Sequence, residues 1–242
     1  MEAVGVEQVG EELLGAIVEG RYRLDRVLGS GASGVVYLAT QLAVDRQVAV
    51  KLLHESDDPE FQARFEVEAR AIARLNHKNC ITLHDFGHWV DGETYYMVTE
   101  YIGGEGLADR MMDFMPVDFV IHLLLDVAQA LNHAHGNNIL HRDLKPENIM
   151  LSKTDQRWEN AKVLDFGLAH ILDSGNMRLT PIGGLPVANA DTPRVVHGTP
   201  IYMSPEQCNQ VAELTAATDI YSLGVLAFEL LEGRVPFDRG LG

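Results

Sequence analysis

Two polar motifs contain the residues of this sequence that are best suited to chemistry. The run HRDLKPEN at 141–148 is followed by the tripeptide Asp165-Phe166-Gly167. Asn148 and Asp165 offer the oxygen ligands that Mg²⁺ favours. Asp143 can accept the proton of an attacking hydroxyl, and Lys145 can meet the charge on a transferring phosphate. Because phosphoryl transfer depends on positioning and charge neutralisation, the two motifs together predict transfer from a metal-bound nucleotide. Either motif alone would fit a solvated loop whose aspartates cap turns.

The elements around these motifs are predicted to hold them together. Crowded polar groups and a proline make 141–148 a structured loop rather than a helix or a strand. Apolar residues at three- and four-residue steps predict a helix over 116–136, before the loop. Two short strands, 149–151 and 162–164, follow it, and as a hairpin they would bring Asn148 close to Asp165.

A glycine-rich run, GSGASG at 29–34, supplies a second candidate phosphate site. Glycines let backbone amides approach phosphates without interference from Cβ atoms. A dinucleotide-binding fold uses a similar run, but a helix must follow it there. Here strands are predicted at 24–28 and 35–39, and a third strand ends in Lys51. Strand, turn and strand therefore count against a dinucleotide-binding fold and favour a phosphate-binding loop between two strands.

Lys51 needs an acidic partner to hold it over phosphates, and a helix at 60–75 offers two. Asp58 and Pro59 form a good helix start. Glu68 lies four residues before Ile72 and therefore shares the apolar face. Glu66 lies four before Arg70, a spacing typical of a surface ion pair. We therefore assign Glu68, rather than Glu66, to Lys51.

From about Tyr22 to Asp238 the sequence resembles the protein kinase superfamily, in particular the bacterial serine/threonine kinases of eukaryotic type. The resemblance is carried by the glycine run, Lys51, HRDLKPEN, Asp165-Phe166-Gly167, Gly198-Thr199-Pro200, Ser204-Pro205-Glu206 and the run DIYSLG at 219–224. Lys145 in the catalytic loop and Thr199 in the substrate-docking segment resemble the serine/threonine branch. Ser204 stands where the family usually has alanine, a change between small residues.

The resemblance implies ATP as cofactor, together with Mg²⁺ or Mn²⁺, and protein substrates with serine or threonine acceptors. It implies catalytic roles for Asp143, Lys145, Lys51, Glu68 and Thr199, with Asn148 and Asp165 as metal ligands. It also implies contacts of ATP with the following residues: Leu28, Gly29, Ser30, Gly31, Ala32, Ser33, Gly34, Val35, Val36, Ala49, Lys51, Thr99, Glu100, Ile102 and Met150. Among these, Thr99 would be the gatekeeper and Met150 the floor of the adenine pocket.

The expected fold class is α+β, with the two lobes of a protein kinase. An acidic arm is expected at 1–20, a small antiparallel sheet lobe with one helix at 21–98, a hinge with the ATP site at 99–102, and a mainly helical lobe at 103–242. The family's large lobe continues beyond the position of Gly242. We therefore expect a C-terminally truncated lobe, with an apolar patch on the helix containing 223–231. Glu206 would also lack the arginine with which the family pairs it.

The resemblance also implies regulation through the activation segment, 165–206. Such kinases are usually switched on by a phosphate that the arginine matching Arg142 can hold. Thr192 and Thr180 are both followed by proline, and Thr192 lies seven residues before Thr199. Thr192 is the preferred phosphorylation site and Thr180 the alternative. The competing interpretation is a loop that is not phosphorylated at all.

Composition narrows the other possibilities. The 35 acidic and 19 basic residues give a net charge of −16, which argues against nucleic-acid or anionic-membrane partners. Cys80 and Cys208 form no metal or disulfide pattern and suit a cytoplasmic location, with Cys80 expected in the core. His133 and His135 are a poor metal pair, and we interpret them as helix-end residues. Two rival functions remain: a nucleotide-binding pseudokinase that acts as a scaffold, and a small-molecule kinase of related fold.

Overall fold

The computed structural model divides the chain into two compact units. The sheet unit combines Met1–Asp57 with Thr82–Tyr101, and the helical unit combines Asp58–Ile81 with Ile102–Gly242. The sequence predicted a sheet lobe at 21–98 and a helical lobe at 103–242, joined by a hinge at 99–102. In the structure the helix after residue 60 falls in the helical unit. The structure describes residues 10–31, 34–54, 61–90, 94–111, 115–152, 160–166, 200–209, 211 and 214–237.

The sheet unit is built on one antiparallel sheet of six strands in the order β1-β2-β3-β4-β6-β5. The strands are β1 (Ile17–Val18), β2 (Tyr22–Gly31), β3 (Gly34–Gln41), β4 (Arg46–Leu53), β5 (Leu83–Trp89) and β6 (Thr94–Glu100). The three strands predicted from 24 to 51 are thereby confirmed, and β2 and β3 run on to the ends of the glycine-rich turn.

Side chains alternate between the two faces of this sheet, and one face forms the core of the unit. Val35, Tyr37 and Ala39 of β3 lie on this face, as do Val48, Val50 and Leu52 of β4. Since successive strand residues point to opposite faces, Val36 and Lys51 belong to the other face. The β-branched and aromatic content of these strands suits such a half-buried sheet.

Residues 10–20 belong to the sheet unit rather than to a separate arm. A 3₁₀ turn at Glu11–Leu13 leads into β1, which pairs with β2. Val18 is fully buried, and the hydroxyl of Tyr37 donates a 2.9 Å hydrogen bond to the carbonyl of Gly10. Val18 and Leu13 thus pack into the core of the sheet unit. Residues 1–9 of the predicted arm lie outside the described residues.

The helical unit contains a small three-stranded sheet, in the order β7-β8-β9. Its helices are α1 (Phe61–Ile72), α2 (Leu107–Arg110), α3 (Val117–Gly136), α4 (Pro205–Cys208) and α5 (Ala216–Glu232), and its strands are β7 (Gly104–Gly106), β8 (Ile149–Ser152) and β9 (Asn160–Val163). The long helix and the hairpin predicted on either side of the catalytic loop are confirmed as α3 and β8–β9. The predicted start of α1 at Asp58 and Pro59 lies outside the described residues.

Helix α3 packs against α5 and β9, and its apolar stripe forms the centre of this unit. Phe119, Leu123, Val127 and Leu131 are each less than 5 % exposed. Cys80 is also buried, as predicted, and burial raises the pKa of its thiol to about 11. On α5, Ile220 and Leu231 are more than half exposed. Within the described residues no helix has the length and apolar character needed to cross a membrane.

Candidate active site

Four of the residues predicted to contact ATP lie on the face of the sheet that is opposite the core of the sheet unit. The strand register aligns Val36, Lys51 and Met97 in one row across β3, β4 and β6. The next row along contains Leu38, Ala49 and Thr99. Because residues in register share a face, Val36, Lys51, Ala49 and Thr99 form one continuous surface opposite the core.

Lys51 stands out on this surface because a lysine side chain is seldom buried. It is 9 % exposed, and apolar residues flank it in its row. Burial of a cation is costly unless anionic groups meet it. This environment suits an ammonium group whose partners include phosphate oxygens.

The glycine-rich turn joins β2 to β3, and its glycines have different structural roles. Gly34 has φ +144°, and a Cβ atom there would lie 2.0 Å from the carbonyl oxygen of Leu52, so the sheet itself requires this glycine. A Cβ atom at Gly29 or Gly31 would meet no heavy atom within 4 Å. The open space beside Gly29 and Gly31 fits a phosphate cradle. Ala32 and Ser33 of the predicted set lie outside the described residues.

The other residues predicted to contact ATP are distributed as follows. Leu28 is 37 % exposed on β2, whereas Val35 is part of the buried core. Glu100 uses its carboxylate to accept a 2.9 Å hydrogen bond from the backbone N–H of Thr82. Ile102 and Met150 belong to the helical unit, where Met150 is paired with Gly106 and Lys162 in the small sheet.

Helix α1 places one of its two glutamates, Glu66, in the ion pair that its spacing predicted. The carboxylate of Glu66 lies 3.1 Å from the guanidinium of Arg70 in an exposed pair, which confirms its surface role. Glu68 is one residue from Ala69 of the buried stripe and is itself partly buried. The pairing of Glu68 with Lys51 would join the two units, and it stays a prediction.

The catalytic loop gathers Asp143, Lys145 and Asn148 at one point. The ammonium of Lys145 lies 2.7 Å from Oδ2 of Asp143. The Nδ2 amide of Asn148 donates to the same oxygen at 3.2 Å and to the backbone carbonyl of Asp143 at 2.7 Å. A short 3₁₀ helix, Pro146–Asn148, turns Asn148 back toward Asp143. The structure therefore brings together three of the residues that the sequence identified.

The donor set at Asn148 and Asp165 fits an oxygen-preferring cation. The backbone N–H of Leu164 donates a 2.8 Å bond to the carbonyl of Asn148, which brings Asp165 next to this residue in the fold. Both hydrogen bonds of the Asn148 side chain use its Nδ2 group, so among the described residues no donor meets its Oδ1. An amide oxygen and a carboxylate are hard ligands of the kind Mg²⁺ binds. Asp165 has φ +51°, a strained backbone typical of functional sites.

A buried carboxylate, that of Asp219, also holds the catalytic loop in place. The sequence had marked this residue only as part of the family motif DIYSLG. Oδ2 of Asp219 accepts from the backbone N–H of His141, and Oδ1 accepts from that of Arg142, both at 2.8 Å. The imidazole Nε2 of His135 lies 2.7 Å from Oδ2. Burial alone would raise the pKa of Asp219, but the hydrogen bond with His135, the nearby His141 and the two backbone N–H groups outweigh it and hold the pKa below its ordinary value.

His141 is fixed in one tautomer by its two ring nitrogens. Its Nδ1 accepts a 3.2 Å hydrogen bond from the backbone N–H of Asp143, so Nε2 carries the proton and donates to the carbonyl of Leu164 at 2.8 Å. The ring is fully buried and lies edge-on to Phe166, with 5.0 Å between centroids. His141 thus joins the catalytic loop to the segment that carries Asp165.

His133 and His135 lie in the last turn of α3, as predicted, and each also has a partner outside the helix. His135 binds the Asp219 carboxylate, and His133 stacks on His77 at 5.2 Å while its Nε2 accepts from the backbone N–H of Asn76. Their partners lie more than fifty residues away along the chain. Only the polar character of two histidines near the end of an apolar helix could have signalled such contacts.

The segment 200–209 leads from the expected substrate-docking region into α4. Ser204 caps α4 reciprocally with Gln207, so its hydroxyl has a role that alanine could not fill. Glu206, for which the sequence predicted no arginine partner, is partly exposed and accepts a 2.9 Å hydrogen bond from the hydroxyl of Thr218. Thr199, Gly167, Thr180 and Thr192 lie outside the described residues.

Comparisons with known proteins identify the family to which this chain belongs. The family model of the protein kinase domain matches residues 22–241. This chain belongs to the protein kinase family and has the protein kinase fold. The crystal structure of the Mycobacterium tuberculosis PknI kinase domain is similar with a TM-score of 0.69 and 28% sequence identity, over 93% of this chain and 79% of that one.

Curated relatives are bacterial serine/threonine-protein kinases. Pkn3 of Myxococcus xanthus is 37% identical over 234 residues, which cover 94% of this chain and 40% of pkn3. PrkC of Bacillus subtilis is 36% identical over 230 residues, which cover 93% of this chain and 32% of PrkC. The chain thus spans less than half the length of the curated relatives it matches.

Proposed function

We propose that this chain is a serine/threonine protein kinase that transfers the γ-phosphoryl group of ATP to hydroxyl groups of proteins. The observation that carries the proposal is the Asp143 carboxylate, held by Lys145 and Asn148 on a loop whose backbone Asp219 supports. The names of the curated relatives support the same activity.

Asp143 would act as the proton acceptor. Its Oδ2 is engaged by Lys145 and Asn148, whereas its Oδ1 accepts no hydrogen bond from a described residue. Oδ1 is therefore the oxygen available to a substrate hydroxyl. The hydroxyl oxygen forms a bond to the γ-phosphorus as the bond to the bridging oxygen of ADP breaks, and the hydroxyl proton passes to Asp143.

The remaining groups of the loop would neutralise charge and position the reactants. Lys145, already 2.7 Å from Asp143, has an ammonium group that can also meet an oxygen of the transferring phosphate. Asn148 and Asp165 would hold Mg²⁺, or Mn²⁺ in its place. When bound, such an ion neutralises the phosphate oxygens and orients the γ-phosphoryl group.

The face of the sheet unit opposite its core would hold the nucleotide. Lys51 would grip the α- and β-phosphates, with Glu68 as its partner, and the backbone at Gly29 and Gly31 has open space for phosphate. Val36, Ala49 and Thr99 supply the smooth, mostly apolar surface that an adenine ring requires. Glu100 and Ile102 would offer backbone groups to the adenine edge.

We further propose that the kinase is switched on by phosphorylation of its own activation segment, with Thr192 preferred and Thr180 as the alternative. The support is Arg142, whose guanidinium precedes Asp143 in the loop and can bind a phosphothreonine. Incubation with Mg²⁺ and ATP followed by mass spectrometry should find phosphate on Thr192. Thr192→Ala should slow transfer to an added substrate, and Thr180→Ala should do so instead if Thr180 carries the phosphate. Absence of phosphate between 165 and 206 in an active preparation would remove this regulation.

The proposed substrates are proteins that present serine or threonine hydroxyls, with Thr199 near the acceptor. A location in the cytoplasm is part of the proposal, supported by the two unpaired cysteines, of which Cys208 is exposed. The net charge of −16 makes an anionic partner such as nucleic acid unfavourable.

Radiolabelled ATP with a generic basic protein substrate tests the activity. We expect label on serine and threonine but not on tyrosine, and loss of all transfer on chelation of divalent cations. Binding of ATP without transfer to any protein would instead support a scaffolding pseudokinase, and transfer to a small molecule alone would support the other rival function.

A further inference from the structure

The peptide unit that precedes Asp143 is held at both ends by side chains. Its N–H group, on Asp143, donates to Nδ1 of His141 at 3.2 Å. Its carbonyl, on Arg142, accepts a 2.7 Å hydrogen bond from Nε2 of Gln207. The orientation of this peptide determines the direction in which the side chain of Asp143 projects from the loop.

The backbone at this point needs such support. Arg142 has φ +67°, a left-handed conformation that a residue with a Cβ atom adopts at a cost. Asp219 fixes the N–H side of Arg142, but it does not reach the carbonyl side. Among the described residues, Gln207 supplies the side-chain donor to that carbonyl.

The amide of Gln207 is itself held in position. Its Oε1 accepts a 3.0 Å hydrogen bond from the backbone N–H of Ser204, while the hydroxyl of Ser204 accepts from the backbone N–H of Gln207. The segment is anchored to α5 as well, since Ser222 donates to the carbonyl of Tyr202 at 2.8 Å. A planar amide with one end fixed by the helix cap can present its other end, Nε2, in only a narrow range of directions.

We infer that Gln207 is a positioning residue for phosphoryl transfer: its amide sets the orientation of the peptide that carries Asp143. This inference rests on the proposed function and deepens it, because it joins the segment that follows the substrate-docking region to the catalytic carboxylate. Gln207 acts through the Arg142 carbonyl and does not touch the reactants.

Three substitutions test the hydrogen bond between the Gln207 amide and the Arg142 carbonyl. Gln207→Glu keeps the oxygen that accepts from Ser204 and replaces the donor to Arg142 by a carboxylate oxygen. Gln207→Met removes the amide without adding charge. Asn209→Asp is the matched control, because it adds the same charge at an exposed position two residues away on the same segment.

The first measurement is hydrogen–deuterium exchange of the peptides covering 139–150, which needs no catalysis. Both Gln207 variants should exchange faster there than the unsubstituted chain, while α3 and α5 keep their protection and Asn209→Asp does not change. The second measurement is steady-state kinetics. Loss of one well-placed hydrogen bond should lower kcat about tenfold in both Gln207 variants, with the KM for ATP within about twofold.

Two results would overturn the inference. One is exchange at 139–150 and kcat in Gln207→Glu that match those of Asn209→Asp. The other is a fall in kcat that simply follows a general loss of protection across the helical unit. If the unsubstituted chain transfers no phosphate, the proposed function fails, and exchange at 139–150 alone decides whether Gln207 orients this peptide.

Discussion

Oδ1 of Asp219 accepts a 2.8 Å hydrogen bond from the backbone N–H of Arg142, which holds a left-handed backbone. Asp219 is fully buried in the first turn of α5, where the helix dipole favours a negative charge. The left-handed backbone of Arg142 is thus stabilised by a carboxylate at the start of a helix that lies far along the chain. The same carboxylate holds His141, so one residue fixes two consecutive peptide groups of the catalytic loop.

Asp219→Asn should destabilise the chain and weaken catalysis together. The amide keeps one acceptor oxygen, so one of the N–H groups of His141 and Arg142 faces a donor instead. We expect a loss of about 2–3 kcal/mol in the free energy of unfolding, measured with urea. Asp118→Asn, at an exposed position on α3, is the control and should cost less than about 0.5 kcal/mol. Equal midpoints for the two variants would contradict the role of Asp219.

Asp219 should also contribute to the acid sensitivity of the fold. Its pKa is lowered in the folded chain, so its contribution is fully present above the ordinary aspartate pKa of about 4. That contribution is lost as pH falls through the lower, folded value. The unfolding free energy of Asp219→Asn should therefore depend less on pH below about 4 than that of the unsubstituted chain.

Asp143→Asn should preserve ATP binding and remove transfer. The amide is nearly isosteric, so the loop geometry persists while the proton acceptor is lost. We expect kcat to fall by at least about a hundredfold, with an unchanged dissociation constant for ATP measured by calorimetry. Lys51→Met should also reduce activity, but by loosening the phosphates. Substantial transfer by Asp143→Asn would exclude the assigned role.

The glycines of the β2–β3 turn should separate folding from nucleotide binding. Gly34→Ala forces a Cβ atom against the carbonyl of Leu52 and should destabilise the fold by about 3 kcal/mol, measured by thermal or urea unfolding. Gly31→Ala places its Cβ atom in open space, so the melting temperature should stay close to that of the unsubstituted chain while the KM for ATP rises. A stable Gly34→Ala protein would show that β4 can shift to accept the methyl group.

The stacked pair of His77 and His133 should make the fold sensitive to mildly acidic pH. Burial, followed by the nearby His133 and Lys78, lowers the pKa of His77, despite an opposing effect of Asp126. The unfolded chain therefore takes up this proton at a higher pH than the folded chain. The unfolding free energy should fall as pH drops below about 6.5, and His77→Gln should reduce this slope. His88→Gln, an exposed control on β5, should retain it.

The sequence was sufficient for elements with a clear periodicity and for motifs with a local signature. Helix α3, the β8–β9 hairpin and the gathering of Asp143, Lys145 and Asn148 were all predicted, because neighbouring residues determine them. The contacts that hold the catalytic loop in place were not predicted. His135, and Gln207 in its bond to Arg142, make contacts that depend on how distant segments meet, and no local pattern marks them. The cap of α4 differs, because Ser204 and Gln207 stand at the spacing of a capping box. Strand β1, within residues 10–20, was also missed, because the acidic composition of this segment indicated a separate arm rather than a strand that pairs with β2.

The bonds between Asp219 and the catalytic loop join residues 77 and 78 positions apart. A growing chain leaves the ribosome from its N-terminus, so the glycine turn, Lys51 and the loop itself all emerge well before Asp219 does. Contacts this distant also close late in folding, because the intervening chain must first lose its conformational freedom. We therefore expect a nascent chain to complete its nucleotide-binding face before its catalytic loop is set, so that ATP can bind to a polypeptide that does not yet transfer phosphate.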